Sequence, residues 1–471
     1  MNEATTVMKR KAPLLGLCPI GKFVFSNEDA VRQKTRLQEK LRKWNVAFVD
    51  LDGVLEDGLV KDQKHVAPAV AHFQKAGADC LFIPHCNFGT EGAAAMIAHK
   101  LGLPTLLWGP RDEAPLPDGT RPRDTLCGIL ATSKVLHKLG VPFTYIENCR
   151  MDDPALREGV DRFLRAANAA NAFRKGMRIG HVGQRIDFFW TTICNESELL
   201  ERFNVEIVPM DMVAFIRDVK SRAVRGRRGY EAEIATMREE CIVEDLDDDA
   251  FLRILAVRDQ LLALAEDQGL DGLAIQDFMS LVDEVGAYCF YANSMVSDRI
   301  PVGCESDIHG AVSGVFLQRA LLGADSVFLT DITVRHPEND NAVLLWHAGA
   351  PLSMRHPDSV VRLGKHWILP SPLGGMTHFR LKDGPVTILR FDGDRGDYKL
   401  AVGEGRTVDG PDTLNNYAWL QVDRWSAWER ALVEGPFIHH AAMAYRHVAD
   451  AVAEAVRYVP GLDLVRLDAL R

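Results

Sequence analysis

The sequence predicts an α/β protein: two doubly wound, parallel-sheet (Rossmann-like) domains followed by a β-rich, barrel-like C-terminal domain. Three observations predict it. Through the first two thirds of the chain, short apolar segments alternate with longer amphipathic ones, the pattern of parallel strands joined by crossover helices. Beyond Asp331 the segments become short and alternating, with Gly, Pro and Asp between them, which is antiparallel β in a barrel or sandwich. The length, 471 residues, suits two or three domains with ample chain for real cores. The breaks fall at 1–175 for the N-terminal α/β domain, 176–330 for the second, and 331–471 for the β-rich domain with its closing helix.

Taken in order, residues 14–18 form the first strand and residues 28–44 a charged, periodic helix. Residues 46–51 are a second strand. A helix over 66–75 leads to a third strand, 78–84. The loop His85-Cys86-Asn87-Phe88-Gly89-Thr90-Glu91-Gly92 then opens onto an Ala-rich helix, and 104–109 is a fourth strand. Ligands in such sheets sit beyond the carboxyl ends of strands, which makes Asn87, Phe88 and Trp108-Gly109 rim candidates, with ordinary loop packing as the competing account of each. A helix over 154–173 closes this region.

The second region starts with a strand over 177–183. Its glycines suggest a nucleotide loop, but the full GxGxxG is missing and no acid ends the next strand, 205–210. Arg185 and Asp187 follow the first of these strands, within reach of a polar ligand or of each other. Residues 250–268 make a strong amphipathic helix, 272–277 a buried strand, 300–305 another, 313–322 a helix and 325–331 a further strand. Gln276, Asp277, Glu305 and Asp331 all fall where strands give out into loops, so one crevice can collect them. In the last region the strand-like pieces are 343–347, 361–363, 367–369, 376–381, 386–392, 398–404 and 419–425, followed by a helix over 441–458.

The formal charge of −10 argues against a broad nucleic-acid footprint. The one dense basic run, Lys220-Ser221-Arg222-Ala223-Val224-Arg225-Gly226-Arg227-Arg228, reads first as a solvated loop and second as an anion or subunit contact. Nine cysteines without a CxxC pair fit free thiols in a reducing compartment. No run approaches the roughly 20 apolar residues of a membrane span, and residues 1–11 lack an apolar signal core, so a soluble cytoplasmic protein without a membrane partner is expected.

The chemistry concentrates in Val302-Gly303-Cys304-Glu305-Ser306-Asp307-Ile308-His309-Gly310, which puts two carboxylates two residues apart after an apolar strand. Asp331 ends the next strand, and His347 and His439-His440 follow. A hard divalent cation prefers carboxylate oxygen, tolerates imidazole and keeps positions open for water or substrate. Zinc fits less well, since there is neither a cysteine cluster nor HExxH. Singly, each residue has a plainer account: a structural acid, a packed histidine beside Trp346, a histidine pair capping a helix. Their order and spacing support the joint reading.

On those residues the chain resembles the L-fucose and L-arabinose isomerases. In that family a Glu in a short (A/G)-x-E-x-D turn, an acid at the end of the next strand and a His from a C-terminal HH pair bind Mn²⁺. Gly303-Cys304-Glu305-Ser306-Asp307 matches the turn, Phe328-Leu329-Thr330-Asp331 the strand-end acid, and Pro436-Phe437-Ile438-His439-His440 the pair. Leu345-Trp346-His347 matches the extra histidine of the arabinose branch. The resemblance implies that Glu305 and Asp331 are both metal ligands and the acid/base pair, with His347 and His440 completing the set around Mn²⁺, Mg²⁺ or Co²⁺. It implies a ketol-isomerase acting on an open-chain pentose or 6-deoxyhexose through a cis-enediolate, in a trimeric or hexameric homo-oligomer. Asp307, His309 and His439 then support the ligands, while Gln276, Asp277 and Arg185 contact sugar and Asn87 and Phe88 reach it from a neighbouring subunit. Two rival readings use the same residues. One is a metal-dependent lyase or decarboxylase on a sugar acid, with Arg185 or the basic run as carboxylate clamp. The other is a non-catalytic sugar-binding relative.

Overall fold

Five parallel strands in the order β2-β1-β3-β4-β5 open the computed structural model, which describes residues 12–368 and 371–468. They are β1 (Leu15–Leu17), β2 (Phe48–Val49), β3 (Cys80–Pro84), β4 (Thr105–Trp108) and β5 (Phe143–Tyr145), with helices α1 (Asn27–Lys43), α2 (Val66–Ala76), α3 (Glu91–Leu101), α4 (Thr125–Lys138) and α5 (Pro154–Arg174) between and after them. The order is one of the two common doubly wound arrangements. β3 and β4 are buried along their whole length, as strands covered on both faces must be, which is why they read as unbroken apolar runs. The Ser26 side chain caps α1 by accepting the Asp29 N–H, acids occupy its first turn and Lys40, Arg42 and Lys43 its last, in keeping with the helix dipole. The sequence pattern did not show α4 and β5. The exposure of Leu126 and Leu130 on α4 blurs the apolar stripe that marks a helix.

The chain divides into two compact units, Lys11–Asn171 and Ala172–Arg471. In the second, β6 (Met177–Val182), β7 (Val205–Met210), β9 (Gly272–Ile275) and β10 (Val302–Gly303) form a parallel sheet ordered β10-β9-β6-β7, with the short β8 (Ile242–Val243) elsewhere. Counted by its own strands, this repeats the first four places of the N-terminal sheet. Its helices are α6 (Glu196–Phe203), α7 (Met212–Glu240), α8 (Asp248–Asp267), α9 (Ser280–Val285), α10 (Phe290–Ser297) and α11 (Ile308–Ala320). The basic run is no loop: it lies inside the 29-residue α7. That helix buries Phe215, Ile216, Val219, Tyr230 and Ile234, and its cations pair outward, Arg227 with Asp249 at 2.8 Å and Arg222 with the Gln260 side chain at 3.1 Å.

The remaining strands are β11 (Phe328–Arg335), β12 (Ala342–His347), β13 (Arg362–Gly364), β14 (Met376–Arg380), β15 (Pro385–Asp394), β16 (Asp397–Val408), β17 (Asn416–Gln421), β18 (His440–Ala444) and β19 (Leu462–Arg466), with helices α12 (Trp425–Glu434) and α13 (Ala449–Val456). Six of them close an antiparallel barrel in the order β16-β15-β18-β11-β12-β17 and back to β16. Four expectations are corrected here. Asp331 does not end a parallel strand; it lies in the middle of β11, a barrel strand. Residues 441–444 are strand and not helix, because β18 is hydrogen-bonded on both sides, to β11 and β15, and that pairing overrides their helix-forming composition. The strand expected over 419–425 stops at Gln421, and Trp425 opens α12. Of the piece at 367–369, Trp367 and Ile368 are not strand and Leu369 lies outside the described residues, as do residues 1–11. One apolar core runs from Phe251 and Leu255 on α8 through Ile275 and Phe328 to Ile388 and Leu420 in the barrel. Beside it Phe173, Phe203, Phe316 and Phe391 pack ring to ring, Phe203 to Phe391 at 5.3 Å between centroids. Among the described residues no helix is long and apolar enough to cross a membrane.

Candidate active site

Strand register assembles the barrel side of the site. In the β11–β18 pair Asp331 stands directly opposite His440, and in the β11–β12 pair it stands opposite Trp346, with His347 one residue on. Opposite residues of an antiparallel pair project from the same face, so Asp331 and His440 share one side of the wall. The His440 Nε2 is 3.4 Å from the Asp331 carboxylate and 3.3 Å from that of Glu305. The His347 Nε2 is 3.9 Å from each of the same two carboxylates.

Glu305 reaches this wall from a strained turn. Glu305 and Ser306 have φ of +60° and +59°, the left-handed region that side chains other than glycine's enter at a cost. The turn is pinned from behind. Asp277 accepts the Glu305 N–H at 3.0 Å and the Asn293 amide at 3.0 Å, while the Ser306 hydroxyl donates to the Gln184 carbonyl at 3.0 Å. Gly303 admits the turn: a Cβ there would lie 2.4 Å from the Asp307 carbonyl oxygen.

Behind the histidine stands Asp307, wholly buried. Its carboxylate caps α11 through the Gly310 N–H at 2.9 Å, accepts from both terminal nitrogens of Arg390, and faces the His440 Nδ1 at 2.9 Å. Burial alone would raise Asp307, but Arg390 and His440 hold it far below the usual carboxylate range. Burial works against charge on His440, yet Asp307, Glu305 and Asp331 around it raise it to about 10. Burial likewise pushes Glu305 up, and His440 and His347 bring it below its ordinary value. Asp277 rises to about 6 through burial and then the charge of Glu305.

The donor set fits a divalent cation. Asp331 Oδ1 and His440 Nε2 are buried and make no hydrogen bond. Buried polar atoms without partners are rare in folded proteins and ask for a ligand. Oxygens about 2.1 Å from one cation and at right angles lie about 3 Å apart, close to the 3.3–3.9 Å spacings here. Donor atoms of Glu305, His347 and His440 lie within 4.8 Å of one another, as do those of Asp331, His439 and His440.

Glu305, Asp331, Trp346, His366 and His439 line a cavity of about 460 Å³ with Phe189 and Tyr288. Gln276, Asp277 and Arg185 do not line it. Gln276 donates to the Gln184 carbonyl, and Arg185 Nη1 is taken by the carbonyls of Ile186, Asp187 and Phe189. Asp277 has no exposed surface and serves the backbone of Glu305. His439 is half exposed at the rim, 3.9 Å from Asp331, and His309 faces Asp392 at 3.1 Å and not Glu305. In the N-terminal unit Asn87 is buried, its oxygen accepting the N–H groups of Lys22 and Gly89, and Phe88 stacks on Phe25 at 5.6 Å. The sequence reading missed Asn293, Arg390, Asp392 and His366. Arg390 and Asp392 had a signal: two opposite charges two apart on an apolar strand share one face.

Residues 16–174 match the family model described as fucose/sulfoquinovose isomerase, N-terminal domain, and residues 374–464 that described as L-fucose isomerase, C-terminal domain, together more than half of the chain. The chain belongs to the L-fucose isomerase-like family. It is similar to sulfoquinovose isomerases of Priestia aryabhattai and Priestia megaterium, each 28% identical over 395 residues, 83% of this chain and 84% of theirs. Against the sulfoquinovose isomerase of Alkalicoccus urumqiensis it is 26% identical over 377 residues, 79% of this chain and 82% of that one. This L-fucose isomerase-like protein is a sugar ketol-isomerase, which sets aside the lyase and the non-catalytic readings.

Proposed function

We propose that this isomerase depends on a divalent metal and interconverts an open-chain aldose and its ketose through a cis-enediolate. The observation that carries the proposal is that the His347 and His440 imidazoles each lie within 3.9 Å of both the Glu305 and the Asp331 carboxylates, with two buried donor atoms lacking partners. A bound cation, Mn²⁺ first and Mg²⁺ or Co²⁺ as alternatives, would supply Lewis acidity that stabilises the negative charge of the enediolate. The chain's own residues do the rest. Glu305 and Asp331, both on the cavity wall, serve as the proton carriers: one takes the proton from C2 and, once protonated, returns it to C1, while the other takes the proton of the O2 hydroxyl and gives it to O1. A positioned carboxylate of this kind contributes roughly 10²–10⁴ in rate. Phe189, Tyr288 and Trp346 wall off water, and His366 offers a polar contact. His440 and His347 bring the Glu305 carboxyl below its ordinary value against the effect of burial.

The substrate we propose is a pentose or 6-deoxyhexose. Sulfoquinovose, whose C6 bears a sulfonate in place of a hydroxyl, is the first to test, because the relatives that align with most of the chain are named for it. A homo-oligomer, trimeric or hexameric, and a cytoplasmic site belong to the same proposal; exposed Phe188 and Met279 at the cavity supply apolar surface of the kind a partner subunit covers. The test is turnover of sulfoquinovose, L-fucose and L-arabinose by metal-depleted and Mn²⁺-loaded protein in deuterated water, followed by NMR. Ketose formation that needs the metal and carries solvent deuterium at C1 or C2 is the expected result. Metal-independent turnover, or transfer without any solvent deuterium, overturns the proposal.

A further inference from the structure

Arg390 is 2% exposed, in the barrel strand β15, and makes no contact with the cavity. Its guanidinium is shared between two buried acids. Both terminal nitrogens meet Asp307, Nη2 at 3.2 Å, and Nε donates to Asp392 at 2.9 Å. Asp392 is fastened in turn by the Gly393 N–H at 2.9 Å and faces the His309 Nδ1 at 3.1 Å. On the other side Asp307 meets the His440 Nδ1 at 2.9 Å. The result is a continuous buried chain, His309–Asp392–Arg390–Asp307–His440, that starts on α11, runs through the barrel strand β15 and ends at the four-donor cluster.

We infer that Arg390 is a positioning residue for metal binding, acting on His440 through Asp307. The inference rests on the metal site proposed above. The physical step is short. A carboxylate only accepts, so its contact with Nδ1 requires the proton there and leaves Nε2 as the nitrogen that faces Glu305 and Asp331. Asp307 can do this only while its own orientation is fixed. The Gly310 N–H holds one oxygen, and the planar two-nitrogen fork of Arg390 sets the carboxylate plane. Replacing the fork by an apolar chain leaves the carboxylate free to turn about that single N–H, and the ring of His440 follows it. Asp392 and His309 play the same part for Arg390, by keeping its Nε side from swinging away.

The experiment is a titration of the full-length, metal-depleted protein with Mn²⁺ alone, for the wild type, Arg390→Met, Arg390→Lys, Asp307→Asn and the Asp307→Asn/Arg390→Met double variant, with thermal melts to establish that each is folded. Loss of such a supporting partner lowers metal affinity typically by about 10–100-fold, and that is the loss expected for Arg390→Met. Arg390→Lys, which keeps the charge without the fork, should fall between it and the wild type, and it carries the test if the methionine variant does not fold. The double variant should bind no more weakly than Asp307→Asn alone, because the two residues act in series. Wild-type Mn²⁺ affinity in Arg390→Met, or losses that add in the double variant, would overturn the inference. A wild-type protein that takes up no Mn²⁺ would instead remove the metal site itself, and the role of Arg390 with it.

Discussion

Asp331 and His440 face each other across neighbouring antiparallel barrel strands, with the imidazole Nε2 3.4 Å from the carboxylate. A slip of one residue in that pairing would send either side chain to the opposite face of the wall. The barrel therefore does more than close the fold: its register sets the spacing of the groups that would hold the cation, and Glu305 is brought to them by a turn at the end of a parallel strand, β10.

Glu305→Gln keeps the shape and the hydrogen-bonding capacity of the side chain but removes its charge and its basicity. Turnover should fall by at least the roughly 10²–10⁴ that a positioned carboxylate supplies, while the circular dichroism spectrum and the melting curve of the metal-depleted variant stay close to those of the metal-depleted wild type. Steady-state rates on the converted sugar check this. A variant with near wild-type kcat would place the chemistry elsewhere.

Metal removal should be visible in stability without any substrate. A ligand that binds only the folded state at about 100 times its Kd adds about 2.7 kcal/mol. Chelation should therefore lower the melting temperature, and Mn²⁺ should restore it. The donors His347 and His440 are buried, so His440→Ala should melt at the same temperature with and without Mn²⁺. Calorimetry of the two proteins, each with chelator and with metal, decides it.

Much of this candidate site is legible in the sequence alone. Glu305, Asp331, His347 and His440 stood out by the order and spacing of ligand-type residues and by the family resemblance these carry, and the apolar runs of β3, β6 and β9 marked parallel sheet. What the sequence hid follows from long-range pairing. The Ala-rich segment after His440 has helical composition and becomes strand only because β11 and β15 flank it. Asp277 looked like a sugar contact because it follows a strand, yet it is the acceptor for the strained Glu305 backbone. Arg390 is 83 residues from Asp307 in sequence, beyond the reach of any local pattern.

In the N-terminal unit, burial holds His85 neutral, with its value lowered to about 4. An unfolded histidine titrates near 6.5. The unfolded chain thus binds a proton that the folded chain refuses, so the stability His85 contributes is present above pH 6.5 and is lost as the pH falls from there towards 4. The full effect is about 3 kcal/mol at the acid end. Hydrogen exchange of the β3 amides should show that unit loosening between pH 6.5 and 4.5, and His85→Asn should flatten the dependence. An unchanged slope in the variant would assign the loss to other groups.

Asp277 offers the last discrimination. Its two oxygens serve the N–H of Glu305 and the amide of Asn293, whose own Oδ1 is buried without a partner. In Asp277→Asn the new carboxamide still accepts from Glu305, and Asn293 needs only to turn its amide over to offer that idle oxygen to the new NH₂ group. The fold and the turn should survive, with activity reduced at most several-fold. Asp277→Leu has nothing to accept the Glu305 N–H, and a buried donor left alone costs about 1–3 kcal/mol. A left-handed Glu305 no longer held by that bond has every reason to relax, which would carry its carboxylate away from His440. Asp277→Leu should therefore lose most of its kcat at saturating metal and melt lower, while Asp277→Asn does neither. Equal loss in both variants would mean that the charge of Asp277, and not its grip on the Glu305 backbone, is what the site uses.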